Sequence, residues 1–255
     1  MRAEYLGHFG SDLMVVDCAR VSFDRKSAFV DIASADVPEI HARSDSARHY
    51  RDYLDHQHTV RMTGVLSFAD FKLIRFLAVN GHWSPFSHPT IQFRISVPVA
   101  IGAQLKRHTV GLAINEVSRR YVDDAVAVYT PISWRKRPDG SIKQGSSSET
   151  VERVWPGTSP AEAYKIAVEQ AQVVYEHMIK AGVAPEMARF VLPQGMYTRW
   201  IWTGSLYAYA RVCKQRTPNG HAQHETSVVA DEIHATLVEI FPASWPALVA
   251  AGSTA

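Results

Sequence analysis

The stretch QLKRHTVGLAINEVSRRY, Gln104 to Tyr121, sets Lys106, Arg107, His108, Arg119 and Arg120 close together along the chain. Between them lie the amide of Asn115, the carboxylate of Glu116 and the hydroxyl of Ser118. Guanidinium forks bind phosphate bidentately, and a neighbouring amide and carboxylate read ring or sugar edges. This is equipment for holding a small anionic ligand such as a nucleotide. A solvated basic loop with structural polar residues accounts for the same composition, and this stretch alone leaves both readings open.

The flanks give the fold its first outline. Upstream, Ile91, Phe93, Ile95 and Val97 alternate with Gln92, Arg94 and Ser96, the pattern of a half-buried strand. Pro98 then suits the first position of a helix running toward Arg107, whose basic end the helix dipole favours. Ser67-x-x-Asp70 opens a further helix with Phe68, Phe71, Ile74 and Leu77 at helical spacing, stopped at Asn80-Gly81. His82 to His88 is too polar and proline-broken for a regular element. The apolar Asp12–Asp24 segment runs into a polar turn, and Asp24 to Arg61 reads as a surface excursion with some helix over Ser44 to Leu54.

Downstream of Tyr121, the run AVAVY is expected as a strand, and Pro131 to Ser148 as a long loop. Ser159-Pro160-Ala161-Glu162 combines N-cap serine, N1 proline and N3 glutamate, a strong helix start, with a stop at Gly182. Another helix opens at Pro185 and breaks at Pro193. Within it Arg189 stands in an apolar segment, where it either snorkels or serves as a fixed anion ligand. Tyr197 to Leu206 leads into a helix ending near Lys214. A turn over Arg216 to Gly220 precedes the last helix, which presents Val229, Ile233, Leu237 and Ile240 to the core.

Composition narrows the function classes. The 255 residues are 46% hydrophobic and 20% charged, with a net charge of +2, a globular balance unlike that of a protein that coats nucleic acid. No repeat or low-complexity linker divides the chain, so one domain over 1–255 is expected. No apolar run nears the ~20 residues a membrane-spanning helix needs, and MRAEYLGHFGSD has no signal-peptide apolar region. Two cysteines, Cys18 and Cys213, give no disulfide framework, which makes the cytoplasm the expected compartment. Twelve histidines include the close pairs His56/His58 and His221/His224, but neither forms HExxH, no cysteine cluster joins them, and no metal is expected. No GxGxxG, GxxxxGK[ST] or GxSxG motif occurs, so a Rossmann crossover is not expected.

Several ordered motifs resemble the flavin-dependent thymidylate synthases. Arg107-His108, Asn115-Glu116, Ser118 and Arg120-Tyr121 match that family's signature, with Thr109 in place of its second arginine and a spacer one residue longer. Ala19-Arg20-Val21-Ser22-Phe23 resembles a segment near the start of these enzymes. His82-Trp83-Ser84-Pro85-Phe86-Ser87-His88 resembles a flavin-side heptad in which Ser87 replaces a common acidic residue. Ala188-Arg189-Phe190-Val191-Leu192-Pro193, Tyr197-Thr198-Arg199 and Arg216 followed by His221-Ala222-Gln223-His224-Glu225 continue the likeness as far as Trp245.

The resemblance implies an α+β fold, a mainly antiparallel sheet flanked by helices, and a homotetramer with sites shared between chains. It implies methylation of dUMP to dTMP, with 5,10-methylenetetrahydrofolate as carbon donor, FAD as hydride source and NADPH as reductant. On this likeness Arg216 is catalytic, stabilising negative charge that develops in the pyrimidine ring. Gln104, Arg107, Glu116, Val117, Ser118, Arg119, Arg120 and Arg189 join it around dUMP. Ser84, Arg107, His108, Thr109, Glu116, Ser205 and Arg211 face FAD, and His82 borders the folate and flavin pocket. Two alternatives remain open. One is a related flavoenzyme that modifies another pyrimidine nucleotide, and the other is a nucleic-acid-binding module using Arg107, Arg119 and Arg120.

Overall fold

The computed structural model describes residues 1–60, 62–121, 125–138, 145–217 and 222–251. In chain order the elements are β1 (Arg2–Phe9), α1 (Asp12–Arg20), β2 (Val30–Asp31), α2 (Asp45–Thr59), β3 (Gly64–Val65), α3 (Phe68–Val79), β4 (Thr90–Pro98) and α4 (Val99–Leu105). They continue with β5 (Leu112–Glu116), α5 (Pro160–Lys180), α6 (Pro185–Ala188), β6 (Tyr197–Ser205), α7 (Leu206–Arg216), α8 (His224–Ile240) and α9 (Ser244–Ala250). β1, β4, β6 and β5 lie side by side in that order, each pair antiparallel, and β2 and β3 form a small separate ribbon. The fold is α+β, as expected.

β4 sits inside the sheet, and its alternation explains why. Ile91, Phe93, Ile95 and Val97 are buried on one face, where Phe93 and Ile95 pair across the ladder with Trp202 and Trp200 of β6. Tyr209 of α7 caps this cluster. Its ring lies 5.3 Å from Phe93 and 5.6 Å from Trp202, and its hydroxyl donates to the Trp202 carbonyl at 2.7 Å. A fully buried large apolar side chain contributes about 1.5–3 kcal/mol, so this aromatic block anchors α7, and with it Arg216, to the sheet.

Several sequence expectations are corrected. Tyr197–Ser205 is a strand rather than a lead-in to a helix, because its aromatic and β-branched residues alternate with period two against β4. Pro98 is not the first helical residue. Its φ of −58° and ψ of 147° place it at the N-cap while it still pairs with Tyr197, and the exposed N–H groups of Val99 and Ala100 donate to the carbonyls of Met196 and Gln194. The AVAVY run forms a bridge from Val128 to Met196, backbone bonds with Gly195 and Tyr197, and accepts from the Gln172 and Tyr164 side chains, without extending the sheet. α8 is followed by α9, whose first N–H groups, from Ala243 and Ser244, donate to the buried Asp12 carboxylate at the start of α1. Burial pushes the Asp12 carboxyl up despite those bonds.

The capping predictions hold. Ser67 accepts from the Asp70 N–H, and Ser159 with Glu162 forms a reciprocal capping box on α5. The helix expected over Ser44 to Leu54 runs as α2 to Thr59, with Ser44 as its cap. Among the described residues, no helix is long and apolar enough to cross a membrane.

Candidate active site

Two helix ends and a loop converge on Arg216. It is the last residue of α7, and its Nε donates to His108 Nε2 at 2.9 Å while its Nη2 donates to the Gln104 carbonyl at 3.2 Å. Gln104 and His108 come from the end of α4 and the turn after it. Because His108 Nε2 accepts, the ring is neutral and carries its proton on Nδ1. Burial, then the charges of Arg216 and Arg211, lower the His108 pKa to about 4. A guanidinium has five N–H donors, and the two bonds Arg216 makes among the described residues use only part of that set. It lines a cavity of about 490 Å³ with Gln104, Trp134, Arg135, Gln223 and Glu225.

A second cavity, about 550 Å³, holds the end of the signature stretch. Glu116, Val117, Ser118, Arg119 and Arg120 line it with Arg189 and Arg199. β5 brings Glu116 to the sheet edge, and the Val117 N–H donates to the Arg199 carbonyl, which fixes the turn that follows. The Glu116 carboxylate accepts from Lys106 Nζ at 2.7 and 2.9 Å and from Thr198 Oγ1 at 2.7 Å. Ser118 Oγ accepts from the Arg120 N–H and Nε, and the Arg120 guanidinium lies 5.0 Å from the Tyr121 ring centre. Arg189, in the short 3-10 turn after α6, donates from Nε to the Glu186 carbonyl. Four arginines around one cavity make a strong anion site.

The flavin-side candidates divide. Thr109, Ser205 and Arg211 line a cleft of about 790 Å³ whose walls are largely apolar, with Leu112, Tyr207 and Trp83. A planar ring with an anionic tail matches such a cleft, which joins aromatic walls to hydroxyls and one guanidinium. Ser205 also caps α7 by accepting from the Ala208 N–H. Arg107 and Ser84 are exposed and do not line the cleft. His82 is exposed too, stacked 6.0 Å from Phe76 at the rim of a wider furrow, about 1090 Å³, between α1 and α3. That furrow is wider than the three other cavities described, yet of the candidate site residues only His82 lines it, and its Arg20 is already paired with Asp70 at 2.5 Å. The arginine cavities carry the denser chemistry.

One chain therefore does not bring all the candidates into a single pocket. Gln104 and Arg216 share one cavity, residues 116–120 and Arg189 another, and Thr109, Ser205 and Arg211 a third. Sequence reasoning gave no site role to Arg135 or Arg199, and it named Lys106 only as part of the basic cluster. Arg199 carried a signal, since it lies in the quoted Tyr-Thr-Arg motif. His221 of the His221/His224 pair and the Pro218–Gly220 turn lie outside the described residues. Among the described residues, no three His, Cys, Asp or Glu side chains gather as metal ligands.

An α+β sheet that carries arginine-lined cavities beside a largely apolar cleft has the chemistry to take an anionic nucleotide and a ring cofactor. The family model for the thymidylate synthase complementing protein matches residues 5–243, and the chain belongs to this family, the flavin-dependent thymidylate synthases. It is 34% identical over 156 residues to the flavin-dependent thymidylate synthase of Kosmotoga olearia, covering 61% of this chain and 66% of that one. With the Streptomyces coelicolor enzyme of the same name it shares 30% identity over 194 residues, 72% of this chain and 76% of the other. Its fold is shared with the UMP/dUMP methylase PolB from Streptomyces cacaoi, solved bound with 5-Br dUMP, at a TM-score of 0.69 and 23% identity, covering 98% and 95% of the two chains.

Proposed function

We propose that the chain, as one domain over 1–255, methylates dUMP to dTMP with 5,10-methylenetetrahydrofolate as carbon donor. Reduced FAD, when bound, would supply the hydride that completes the methyl group, and NADPH would reduce the flavin again. The observation that carries this reading is Arg216, held by His108 and the Gln104 carbonyl through only part of its donor set. A fixed, permanent cation there stabilises negative charge developing in the uracil ring and is already oriented before reaction. Ser118, Arg119 and Arg120 hold the phosphate and sugar of dUMP, with Gln104 and Arg189 helping and Arg107, Glu116 and Val117 in the same binding set. Thr109, Ser205 and Arg211 serve the flavin from the apolar cleft; Arg107, His108, Ser84 and Glu116, which do not line it, join them on the family likeness, and His82 borders the folate and flavin pocket.

Residues 116–120 complete the site of a neighbouring copy in a homotetramer. Their separation from Arg216 within one chain supports this, as do Ile166, Met187 and Phe190, apolar side chains left exposed on and after α5. Both cysteines are free, which fits the cytoplasm.

The test is a calorimetric titration with dUMP, then with FAD in the presence of dUMP, followed by dTMP formation from the folate donor and NADPH. Saturable binding of both and product formation are expected, with the flavin spectrum bleached by NADPH. No FAD binding would remove the flavoenzyme reading. Affinity for polynucleotide that rises with length and falls steeply with salt would replace it with a nucleic-acid module.

A further inference from the structure

An ion pair to which no site role was given lines the Arg216 cavity. Nη2 of Arg135 donates to both Glu225 oxygens at 2.8 Å, and its Nε donates to Ser146 Oγ at 2.7 Å. The Glu225 side chain is 7% exposed and that of Arg135 21%. The bonding continues inward from the carboxylate. Gln223 Nε2 donates to Glu225 Oε2 at 2.9 Å, Gln104 Nε2 donates to Gln223 Oε1 at 2.5 Å, and Thr226 Oγ1 donates to Gln104 Oε1 at 3.2 Å.

The direction of this relay is not arbitrary. An ionised carboxylate only accepts, so Gln223 must turn its NH₂ toward Glu225 and its oxygen toward Gln104. Gln104 must then answer with its own NH₂ and leave its oxygen to Thr226. An amide turns over easily when its neighbours allow it, because oxygen and nitrogen differ little in size. Here the buried acid forbids the turn. Burial alone would push the Glu225 carboxyl up, but Arg135, its own N–H and Gln223 outweigh that and hold it below its ordinary value. The carboxyl therefore stays ionised at neutral pH.

We propose that Glu225 is a positioning residue that acts through Gln223 to fix the donor–acceptor polarity of Gln104 beside Arg216, and so biases the site toward uracil over cytosine. The inference rests on dUMP being the ligand of this cavity. Uracil and cytosine differ at N3 and at the exocyclic position by an exchange of donor for acceptor, so a wall of fixed polarity separates them and a wall free to turn does not.

The test compares dUMP and dCMP binding by calorimetry in wild type, Glu225→Gln and Thr226→Val, with FAD affinity and melting temperature measured alongside. Glutamine at position 225 can donate or accept, which frees the relay to invert. Valine at 226 removes the donor to Gln104 while keeping the volume, and it decides the matter if the Glu225 variant does not fold. The expected result is dUMP binding weakened roughly tenfold, a narrower dUMP-to-dCMP ratio and unchanged FAD affinity. An unchanged ratio in both variants would overturn the proposal, as would parallel loss of dUMP, dCMP and FAD. Wild type that binds no dUMP would instead overturn the functional reading beneath it.

Discussion

His108 offers the sharpest test of the site's electrostatics. Its pKa falls from 6.5 to about 4, through burial first and then through Arg216 and Arg211. Between these values the unfolded chain binds a proton that the native ring refuses, so stability rises with pH across the window. That stability is fully present above about 6.5 and is lost as pH falls toward 4. The interval bounds the effect at about 3 kcal/mol, and solvent screening of a half-buried ring reduces it to about 1–2 kcal/mol. His108→Gln removes the titration while leaving an acceptor for the Arg216 Nε. Denaturant unfolding followed by tryptophan fluorescence, at fixed ionic strength from pH 4 to 7, compares the two proteins. The carboxylates titrate in both and cancel in the difference. Wild type is expected to lose about 1–2 kcal/mol more than the variant on acidification. A difference independent of pH, or wild type gaining on the variant as the pH falls, would refute the neutral, Arg216-bonded ring.

The remaining tests address separate parts of the molecule. Arg216→Ala is expected to lower kcat by about 10²–10³ with a much smaller loss of dUMP affinity, whereas Ser118→Ala chiefly weakens dUMP binding. Steady-state kinetics with dUMP calorimetry separates them, and a rise in KM at constant kcat for Arg216→Ala would make it a binding residue only. Burial pushes the thiol of Cys213 well up, while burial and then Asp17 raise Cys18, so neither is a thiolate near neutral pH. The double variant Cys18→Ser, Cys213→Ser should form dTMP within about tenfold of wild type, and a folded, flavin-loaded variant with no product would restore a thiolate mechanism. Gly204→Ala would place a Cβ 2.3 Å from Leu112 Cδ2 and 2.9 Å from the Gly111 carbonyl. Forcing β5 and β6 apart should cost about 1–3 kcal/mol, and an unchanged melting temperature would show that the two strands yield.

Local chemistry carried much of the fold into the sequence. Ser67 with Asp70 and Ser159 with Glu162 mark true helix starts because a cap is satisfied within four residues of chain. β4 is legible because its apolar face alternates strictly. β6 is harder, since what makes Tyr197–Ser205 a strand is the burial of Trp200 and Trp202 against Ile95 and Phe93, over a hundred residues earlier. β1 is an edge strand with a register shift between Tyr5 and Gly7, so its alternation is broken where a reader would count it.

The site divides in the same way. That Arg107, Arg119, Arg120, Arg189 and Arg216 suit an anionic ligand follows from residue type and motif order, which a sequence states outright. Which of them share a cavity is a tertiary fact. β5 carries residues 116–120 to one side, whereas the ends of α4 and α7 meet on another. The neutral tautomer of His108 depends on Arg216, 108 positions away, and the polarity of Gln104 on Glu225 and Thr226, more than a hundred positions away. Hydrogen-bond direction and pKa belong to neighbours in space, and the folded sheet and helices alone choose those neighbours.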